Sequence, residues 1–365
     1  MRYCFVAVVL GAAFVASPSV ADIRVTTEPA EPFIEMTRLG QALNFDVLIS
    51  NDERAPVELV EFELTARDER GNIITRRRVG QNGNTIEVIP SREIPAEGRL
   101  LVFNPLVQWP ADVELRNVEL TLTVSADNED SERVIKHRIR PRAYLGRQSL
   151  RLPLDGAVFV HAGHDFMAHH RRFPLHSAMT DALNIRHNVT RYAYDFAVVD
   201  ARGEMYRGEG KQLADWFGYG APVLAPAAGT IVEIHDGQPD NDIGKPPRLD
   251  RDALMSNPKL LFGNFVLIDH GDGELGLLAH LRPGSISVKA GQRVGRGQAI
   301  AAVGMSGDAA IVHLHFQMQA GPGFAEGIPS RFADFARKTG DGWTQVKTGP
   351  IEGGEIVQSG STKTE

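Results

Sequence analysis

Apolar residues recur at every second position in several stretches near the start of this chain. Leu or another large apolar residue occupies every odd position of residues 43–49 and every even position of residues 118–124. Side chains point alternately to the two faces of a strand, so this period predicts strands with one buried face. Segments such as Asp68–Asn72 supply turn residues between them. About seven or eight short strands predict an antiparallel β-sandwich over residues 22–145, immunoglobulin-like in outline. This region has no catalytic constellation and is expected to be a binding or spacer module.

The first residues have the pattern of a secretory signal peptide. Arg2 precedes an apolar run from Phe5 to Val15, and the small residues Ser19-Val20-Ala21 follow. The run is shorter than the roughly 20 residues that a membrane-spanning helix needs, so we expect cleavage after Ala21 rather than a stable membrane anchor. Residues 1–21 therefore predict export to the periplasm or the medium. The only cysteine, Cys4, leaves with this peptide, which excludes disulfides and thiol chemistry in the mature chain.

Net charge argues against nucleic acid as a partner. The formal charge is −7 and becomes −8 when Arg2 is removed, whereas phosphate binding requires clustered Lys and Arg.

The second half of the chain, residues 150–345, is expected to be a second antiparallel β-domain. Residues 220–232 and 288–300 repeat the same glycine-punctuated strand–turn–strand pattern, which suggests duplicated hairpin units. Residues 236–260 are polar and form an inserted loop, with a short helix after Asp250. Residues 330–339 are expected to be helical, and the polar tail 351–365 to be disordered.

Two histidines share one face of a predicted strand. Residues 313–316 read His-Leu-His-Phe within an apolar run, and alternation turns His313 and His315 to the same side. Such a pair suits a metal ion. A pair of exposed or hydrogen-bonded surface histidines is the alternative.

A carboxylate interrupts another apolar strand. Asp195 lies within Tyr192–Val199, and a buried carboxylate needs a metal or a cationic partner. Arg191 is one such partner, in a structural ion pair. His187 lies eight residues earlier, roughly 26 Å away along a straight strand, so it reaches the same ion only if the chain turns back between them. His280 ends a further apolar strand and by itself is more often a structural residue.

These features together fit a catalytic zinc site. Two imidazoles and one carboxylate leave a fourth position open to water, which distinguishes a catalytic from a structural zinc site. Two further histidines can then transfer protons and stabilise an oxyanion.

The ordered set of motifs resembles the lysostaphin-type (LytM-like) zinc endopeptidases of peptidoglycan. It covers roughly residues 187–318, and its members occur in family order: Asp195, the 220–232 pattern, Gly263–Val266, Ala279-His280-Leu281, the 288–300 pattern, Gly304–Gly307 and His313-Leu314-His315. The resemblance implies one Zn²⁺ per chain, held by His187, Asp195 and His315. It also implies that His280 and His313 are catalytic and that the substrate is a peptide cross-link of peptidoglycan.

One departure concerns the first ligand. The family usually has a histidine four residues before the aspartate, and here that position is Arg191. His187 is the nearest upstream histidine, which requires a longer loop. Five histidines further upstream are rival first ligands or members of a separate site: His161, His164, His169, His170 and His176. Because Arg171 and Arg172 lie among them, we interpret this segment as a solvated basic surface.

Other functions fit the sequence less well. A non-catalytic wall-binding or amidase-activating module of the same fold typically lacks some zinc ligands, whereas the expected set is present here. A phosphocarrier needs cytosolic phosphodonors, which export excludes. Ser306 is not in a GxSxG elbow and lies in a predicted turn, which disfavours a serine hydrolase.

Overall fold

A computed structural model describes residues 22–80, 89, 91–126, 132–144 and 146–360. Nearly all of the regular structure in these residues is β, which confirms the predicted all-β class. No helix in this part of the chain has the length and apolar character to cross a bilayer. The expected signal peptide, residues 1–21, lies outside the described residues.

The N-terminal region contains twelve strands among its described residues. They are β1 Ile23–Glu28, β2 Phe33–Thr37, β3 Gly40–Leu43, β4 Asp46–Asn51, β5 Val57–Arg67, β6 Ile73–Val79, β7 Glu93–Ile94, β8 Gly98–Phe103, β9 Gln108–Trp109, β10 Asn117–Ala126, β11 Glu132–Ile139 and β12 Arg142–Ala143.

These strands form three sheets, in the orders β1-β4-β8, β11-β10-β5-β6 and β12-β2-β3-β9, with β7 paired to β5. The first two sheets share one apolar core, which includes Val47 and Ile49 of β4 and Leu120 and Leu122 of β10. The predicted alternation is confirmed along β10, where every second residue is buried. The immunoglobulin-like strand arrangement stays a prediction.

The second region carries the remaining elements. Its strands are β13 Ala157–Ala162, β14 Tyr194–Val198, β15 Pro222–Leu224, β16 Gly229–His235, β17 Asn264–Asp269, β18 Leu275–Leu281, β19 Arg293–Val294, β20 Ala299–Ala302, β21 Leu314–Gln319, β22 Gly327–Ile328, β23 Phe332–Thr339, β24 Gly342–Gly349 and β25 Ile356–Ser359. The α-helices are α1 Ala178–Ala182 and α2 Arg251–Ser256, and 3₁₀ turns cover Leu213–Asp215 and Pro258–Phe262.

One large sheet organises this second region, in the order β19-β16-β17-β18-β21-β14-β13-β25-β23-β24. The two repeated sequence patterns pair with each other: β15 of the first pairs with β20 of the second, and β16 with β19. The short helix predicted after Asp250 is α2, whose first turn is capped by the Asp250 side chain. Strands β18, β21 and β14 lie side by side at the centre of the sheet, and they carry the expected site residues.

Two expectations fail at the C-terminal end. Residues 330–339, expected to be helical, contain β23, because Phe332 and Phe335 pack into the core in an extended segment. The predicted disorder of residues 351–365 is wrong for residues 351–360, because β25 pairs with β13 and β23 and fully buries Val357. The prediction of disorder rested on the polar composition of the tail as a whole and gave no weight to the apolar pair 356–357. Residues 361–365 lie outside the described part of the chain.

Candidate metal centre

Three neighbouring strands bring the expected site residues together. Asp195 of β14 lies directly opposite His315 of β21, and His315 lies opposite Ala279 of β18. His280 follows Ala279, and His313 immediately precedes β21. The sheet register therefore collects Asp195, His280, His313 and His315 in one place, as the sequence predicted.

Asp195 is the centre of this cluster. Its side chain is only 6% exposed, and four imidazole nitrogens surround it: His315 Nδ1 at 3.1 Å, His170 Nε2 at 3.3 Å, His313 Nε2 at 3.4 Å and His169 Nε2 at 3.6 Å. Burial alone would raise the pKa of this carboxyl, but the His170 and His313 imidazoles hold it well below its ordinary value. Asp195 is therefore a carboxylate, the form that binds metal.

Hydrogen bonds on the far side of each ring determine which nitrogen carries the proton. A backbone carbonyl can only accept, so His170 Nδ1–H donates to Gly163 O at 2.9 Å and His313 Nδ1–H donates to Ile311 O at 2.9 Å. His315 Nε2–H donates to Gln317 Oε1 at 2.9 Å. When neutral, His170 and His315 therefore present an unprotonated nitrogen to Asp195.

This arrangement fits a metal ion. Unprotonated nitrogens of His170 and His315 at 3.3 and 3.1 Å from a carboxylate oxygen would place lone pair against lone pair unless a proton or a metal ion lies between them. His170, Asp195 and His315 offer two nitrogens and one oxygen, the donor types that zinc uses. Far-side hydrogen bonds from each ring to a carbonyl or amide oxygen are also the usual way of orienting metal-binding histidines.

His280 and His313 lie beside this donor set and have opposite electrostatic environments. Their ring centroids are 4.8 Å apart. Burial lowers the pKa of His280 well below its ordinary value, and the nearby His313 and His315 rings lower it further. Burial also lowers the pKa of His313, but the Asp195 carboxylate outweighs it and raises that pKa above its ordinary value. Neighbouring groups whose pKa values diverge are typical of acid–base pairs.

The backbone at His280 has an unusual conformation. Its φ of 59° lies in the left-handed region, which costs a non-glycine residue free energy and is found preferentially at functional sites. The Nδ1–H donates to Ser306 O at 2.8 Å, so Nε2 is the nitrogen left for chemistry.

The structure does not bring His187 into the cluster. Its side chain is 58% exposed, and its Nδ1 lies 3.9 Å from Glu326 Oε2. The chain does turn after His187, but the turn directs Arg191 inward: this guanidinium is fully buried and binds Asp46 and Glu326. His187 is therefore left on the outside, and the proposed first ligand moves to another histidine.

His169 and His170 take the place expected of His187. Ligand atoms of His169, His170 and Asp195 all lie within 4.8 Å of one another. The sequence interpretation of this segment as a solvated basic surface is wrong for His170, which is 3% exposed, and for Arg171, which is fully buried. For this part of the donor set, the sequence signal was the adjacent histidine pair 169–170.

Two other upstream histidines have different partners. His164 Nε2 lies 2.9 Å from Glu35 Oε1, and His176 Nε2 lies 2.7 Å from Glu28 Oε1. Both pairs join the second region to strands of the N-terminal region.

A groove of ≈ 160 Å³ opens onto the cluster. Aromatic side chains line it together with the histidines: Phe173, Phe262 and Phe324. Leu261 and Phe262, which directly follow the inserted segment 236–260, line one side of the groove. Burial raises the pKa of Asp308, another lining residue, above its ordinary value.

Part of this region matches the model of a known peptidase family. Residues 213–325 match the family model of Peptidase family M23, a range that contains His280, His313 and His315. No curated protein matches the chain.

Solved structures with similarity include peptidases from three bacteria. The catalytic domain of the antimicrobial peptidase lysostaphin from Staphylococcus simulans is 21% identical, over 38% of this chain and 74% of that one, with a TM-score of 0.25. The catalytic domain of the prophage-encoded M23 protein EnpA from Enterococcus faecalis is 18% identical, over 38% and 73%, with a TM-score of 0.24. A zinc containing peptidase from Vibrio cholerae is 16% identical, over 78% and 80%, with a TM-score of 0.25.

Proposed function

We propose that this chain, whose residues 213–325 match the model of Peptidase family M23, is an exported zinc endopeptidase that cleaves peptide bonds in peptidoglycan. The observation that carries the proposal is the convergence of His170 Nε2 and His315 Nδ1 on the buried Asp195 carboxylate, at 3.3 and 3.1 Å. A peptidase family supplies the reaction class, and this donor set supplies a place for its metal.

His170, Asp195 and His315 are the proposed ligands of one zinc ion per chain. Three protein ligands are the number that catalytic zinc sites use. His170 replaces His187 because it is buried at the cluster, whereas His187 is exposed and pairs with Glu326. A zinc ion held there supplies a Lewis acid that polarises a peptide carbonyl and lowers the pKa of water.

His280 and His313 are the proposed catalytic pair. His280 is neutral at physiological pH because its pKa is lowered, so its Nε2 can accept a proton from the attacking water. His313 has a raised pKa, so its Nε2 can donate a hydrogen bond to an oxyanion or a proton to the leaving amine. Because both Nδ1 atoms donate to backbone carbonyls, the two rings are held with Nε2 available.

The substrate and the compartment follow from two sequence features. The resemblance to lysostaphin-type enzymes suggests peptidoglycan peptides, and residues 1–21 suggest delivery to the periplasm or the medium. The aromatic groove beside the histidines offers apolar contacts to a peptide. Neither nucleic acid nor a stable membrane anchor belongs to the proposed function.

Digestion of purified peptidoglycan tests this function. Residues 22–365 with one equivalent of zinc should release peptides with new amino termini, detected by mass spectrometry, and chelation should stop the release. Asp195→Asn, which keeps the shape of the side chain but loses its charge, is the matched inactive control. Binding to peptidoglycan without cleavage by the zinc-loaded protein would instead favour the non-catalytic wall-binding or amidase-activating module.

Export is tested separately. Mature protein recovered from an exporting bacterium should begin at Asp22 on amino-terminal sequencing. Recovery of cytosolic protein that retains Met1 would contradict the proposed compartment.

A further inference from the structure

A buried carboxylate of the N-terminal domain contacts the segment that carries the proposed first ligand. Asp46, at the start of β4, is fully buried, and its two oxygens bind different arginines. Oδ1 accepts from Arg171 Nη1, and Oδ2 accepts from Arg191 Nη1 at 2.7 Å. Both guanidinium groups are themselves fully buried. Charges removed from water in this way depend on their partners for stabilisation.

The two residues before Asp46 make further contacts across the same boundary. Phe45 O accepts from Arg171 Nη2 at 2.5 Å, and Asn44 Nδ2 donates to Arg191 O at 3.1 Å. Residues 44–46 therefore bind both arginines, through side chains and through the backbone.

These arginines are adjacent to the metal cluster along the chain. Arg171 directly follows His170, and Arg191 precedes Asp195 by four positions. The two segments are also joined to each other, because Asn188 Nδ2 donates to His170 O at 2.9 Å. A movement of either arginine is thereby transmitted to the backbone of His170.

From these contacts we infer that Asp46 is a positioning residue for the metal site: the N-terminal domain fixes the His170 segment through the Asp46–Arg171 and Asp46–Arg191 pairs. The inference rests on the proposed zinc site. It assigns the N-terminal domain a role in holding the ligand set, beyond that of a spacer. Loss of the Asp46 charge leaves Arg191 with Glu326 as its remaining carboxylate partner and leaves Arg171 with no carboxylate partner among the described contacts. The arginines must then move toward water, and His170 moves with Arg171.

The test is the zinc affinity of Asp46→Asn, measured by competition with a chromophoric chelator on residues 22–365. Asparagine preserves the shape of the side chain and removes its charge. The expected result is about 10- to 100-fold weaker zinc binding, the usual effect of losing a group that orients a metal ligand. Circular dichroism at the assay temperature establishes that each variant is folded.

Leu122→Ala is the matched control for general destabilisation. Leu122 is fully buried in the N-terminal core, and its replacement leaves a cavity far along the sequence from residues 44–46. We expect it to lower the denaturation midpoint while zinc affinity stays at the wild-type value. An equal loss of zinc affinity in Leu122→Ala and Asp46→Asn would overturn the positioning role.

Asn44→Ala provides a second variant in case Asp46→Asn does not fold. It removes one hydrogen bond to Arg191 O, and zinc binding should weaken by about 2- to 10-fold, the equivalent of one net hydrogen bond. Wild-type zinc affinity in a folded Asp46→Asn, or in Asn44→Ala when Asp46→Asn is unfolded, refutes the inference while the zinc site itself stands. A wild-type chain that binds no zinc refutes the proposed function, and this inference with it.

Discussion

Replacement of His170 should abolish stoichiometric zinc binding, whereas replacement of His187 should not. His170 is 3% exposed and its Nε2 lies 3.3 Å from Asp195 Oδ1. His187 is exposed, and its contact with Glu326 at 3.9 Å is of a kind that contributes only about 0–1 kcal/mol. The two variants thus separate a buried ligand from the surface histidine that the sequence suggested.

The size of the effect follows from the number of ligands. Without the His170 imidazole, Asp195 and His315 remain from the proposed set of three. Loss of a group that merely orients a ligand costs up to about 100-fold in metal affinity, so loss of a ligand should exceed this value. A 100-fold loss corresponds to about 2.7 kcal/mol. Zinc should therefore dissociate from His170→Ala during dialysis that leaves the wild type loaded.

The assay is metal analysis after dialysis, together with a chelator competition on each folded variant. His170→Gln retains most of the side-chain volume and controls for the cavity that alanine leaves. His169→Ala is the closest comparison, because the His169 side chain is 69% exposed and 3.6 Å from Asp195 Oδ2; it should keep bound zinc. Stoichiometric zinc in His170→Ala would refute the assignment, and its loss in His169→Ala alone would transfer the role to that residue.

Three further predictions concern catalysis, pH and the C-terminal strand. His313→Ala and His280→Ala should each retain zinc while turnover of peptidoglycan peptides falls by roughly 10²–10⁴-fold, the usual contribution of positioned proton transfer; zinc loss in either variant would make that residue a ligand. Burial lowers the pKa of His164, but the Glu35 carboxylate outweighs it and raises that pKa, so the pair stabilises fully below about pH 6.5 and this stability is lost as pH rises through the raised pKa. Urea unfolding at about pH 6 and pH 8.5 should show a fall in the free energy of unfolding in the wild type and a smaller fall in His164→Gln; an equal fall in both proteins would contradict the prediction. Deletion of residues 351–365 should lower the free energy of unfolding by at least about 1.5–3 kcal/mol, the value of burying one valine, because it removes β25 with the fully buried Val357; deletion of 361–365 alone should change nothing.

The sequence predicted the parts of the site that depend on strand periodicity. Alternation alone placed His313 and His315 on one face, and the register of β14 against β21 aligns Asp195 with His315. His280 also lies where the strand pattern and the family resemblance suggested. Sheet geometry is short-range and regular, so residue spacing carries this information.

The first ligand could not be predicted in the same way. His170 lies outside the regular strands and reaches Asp195 through a loop. Its position depends on Asp46, 125 residues earlier along the chain from Arg171, and on the buried Arg191. A local interpretation assigns Arg171 and Arg172 to solvent because charged residues are rarely buried without partners. The partner of Arg171 is Asp46 of the N-terminal region, which no local pattern reveals.

The predictions for the C-terminal segments were wrong for a related reason. Residues 330–339 have a composition compatible with a helix, and the tail is rich in polar residues and glycine. Tertiary pairing decides both segments: β23 lies between β24 and β25, and β25 in turn pairs with β13. Pairing over nearly 200 residues of sequence overrides weak local preference.

The most direct test of the metal centre is a crystal structure of the zinc-loaded chain, with anomalous diffraction recorded at the zinc absorption edge. The predicted result is one anomalous peak bonded to His170 Nε2, an Asp195 carboxylate oxygen and His315 Nδ1, at about 2.0–2.2 Å from each. His280 and His313 should lie beside the ion without binding it. A peak at His187, a peak that excludes Asp195, or the absence of any peak from zinc-loaded crystals would contradict the account.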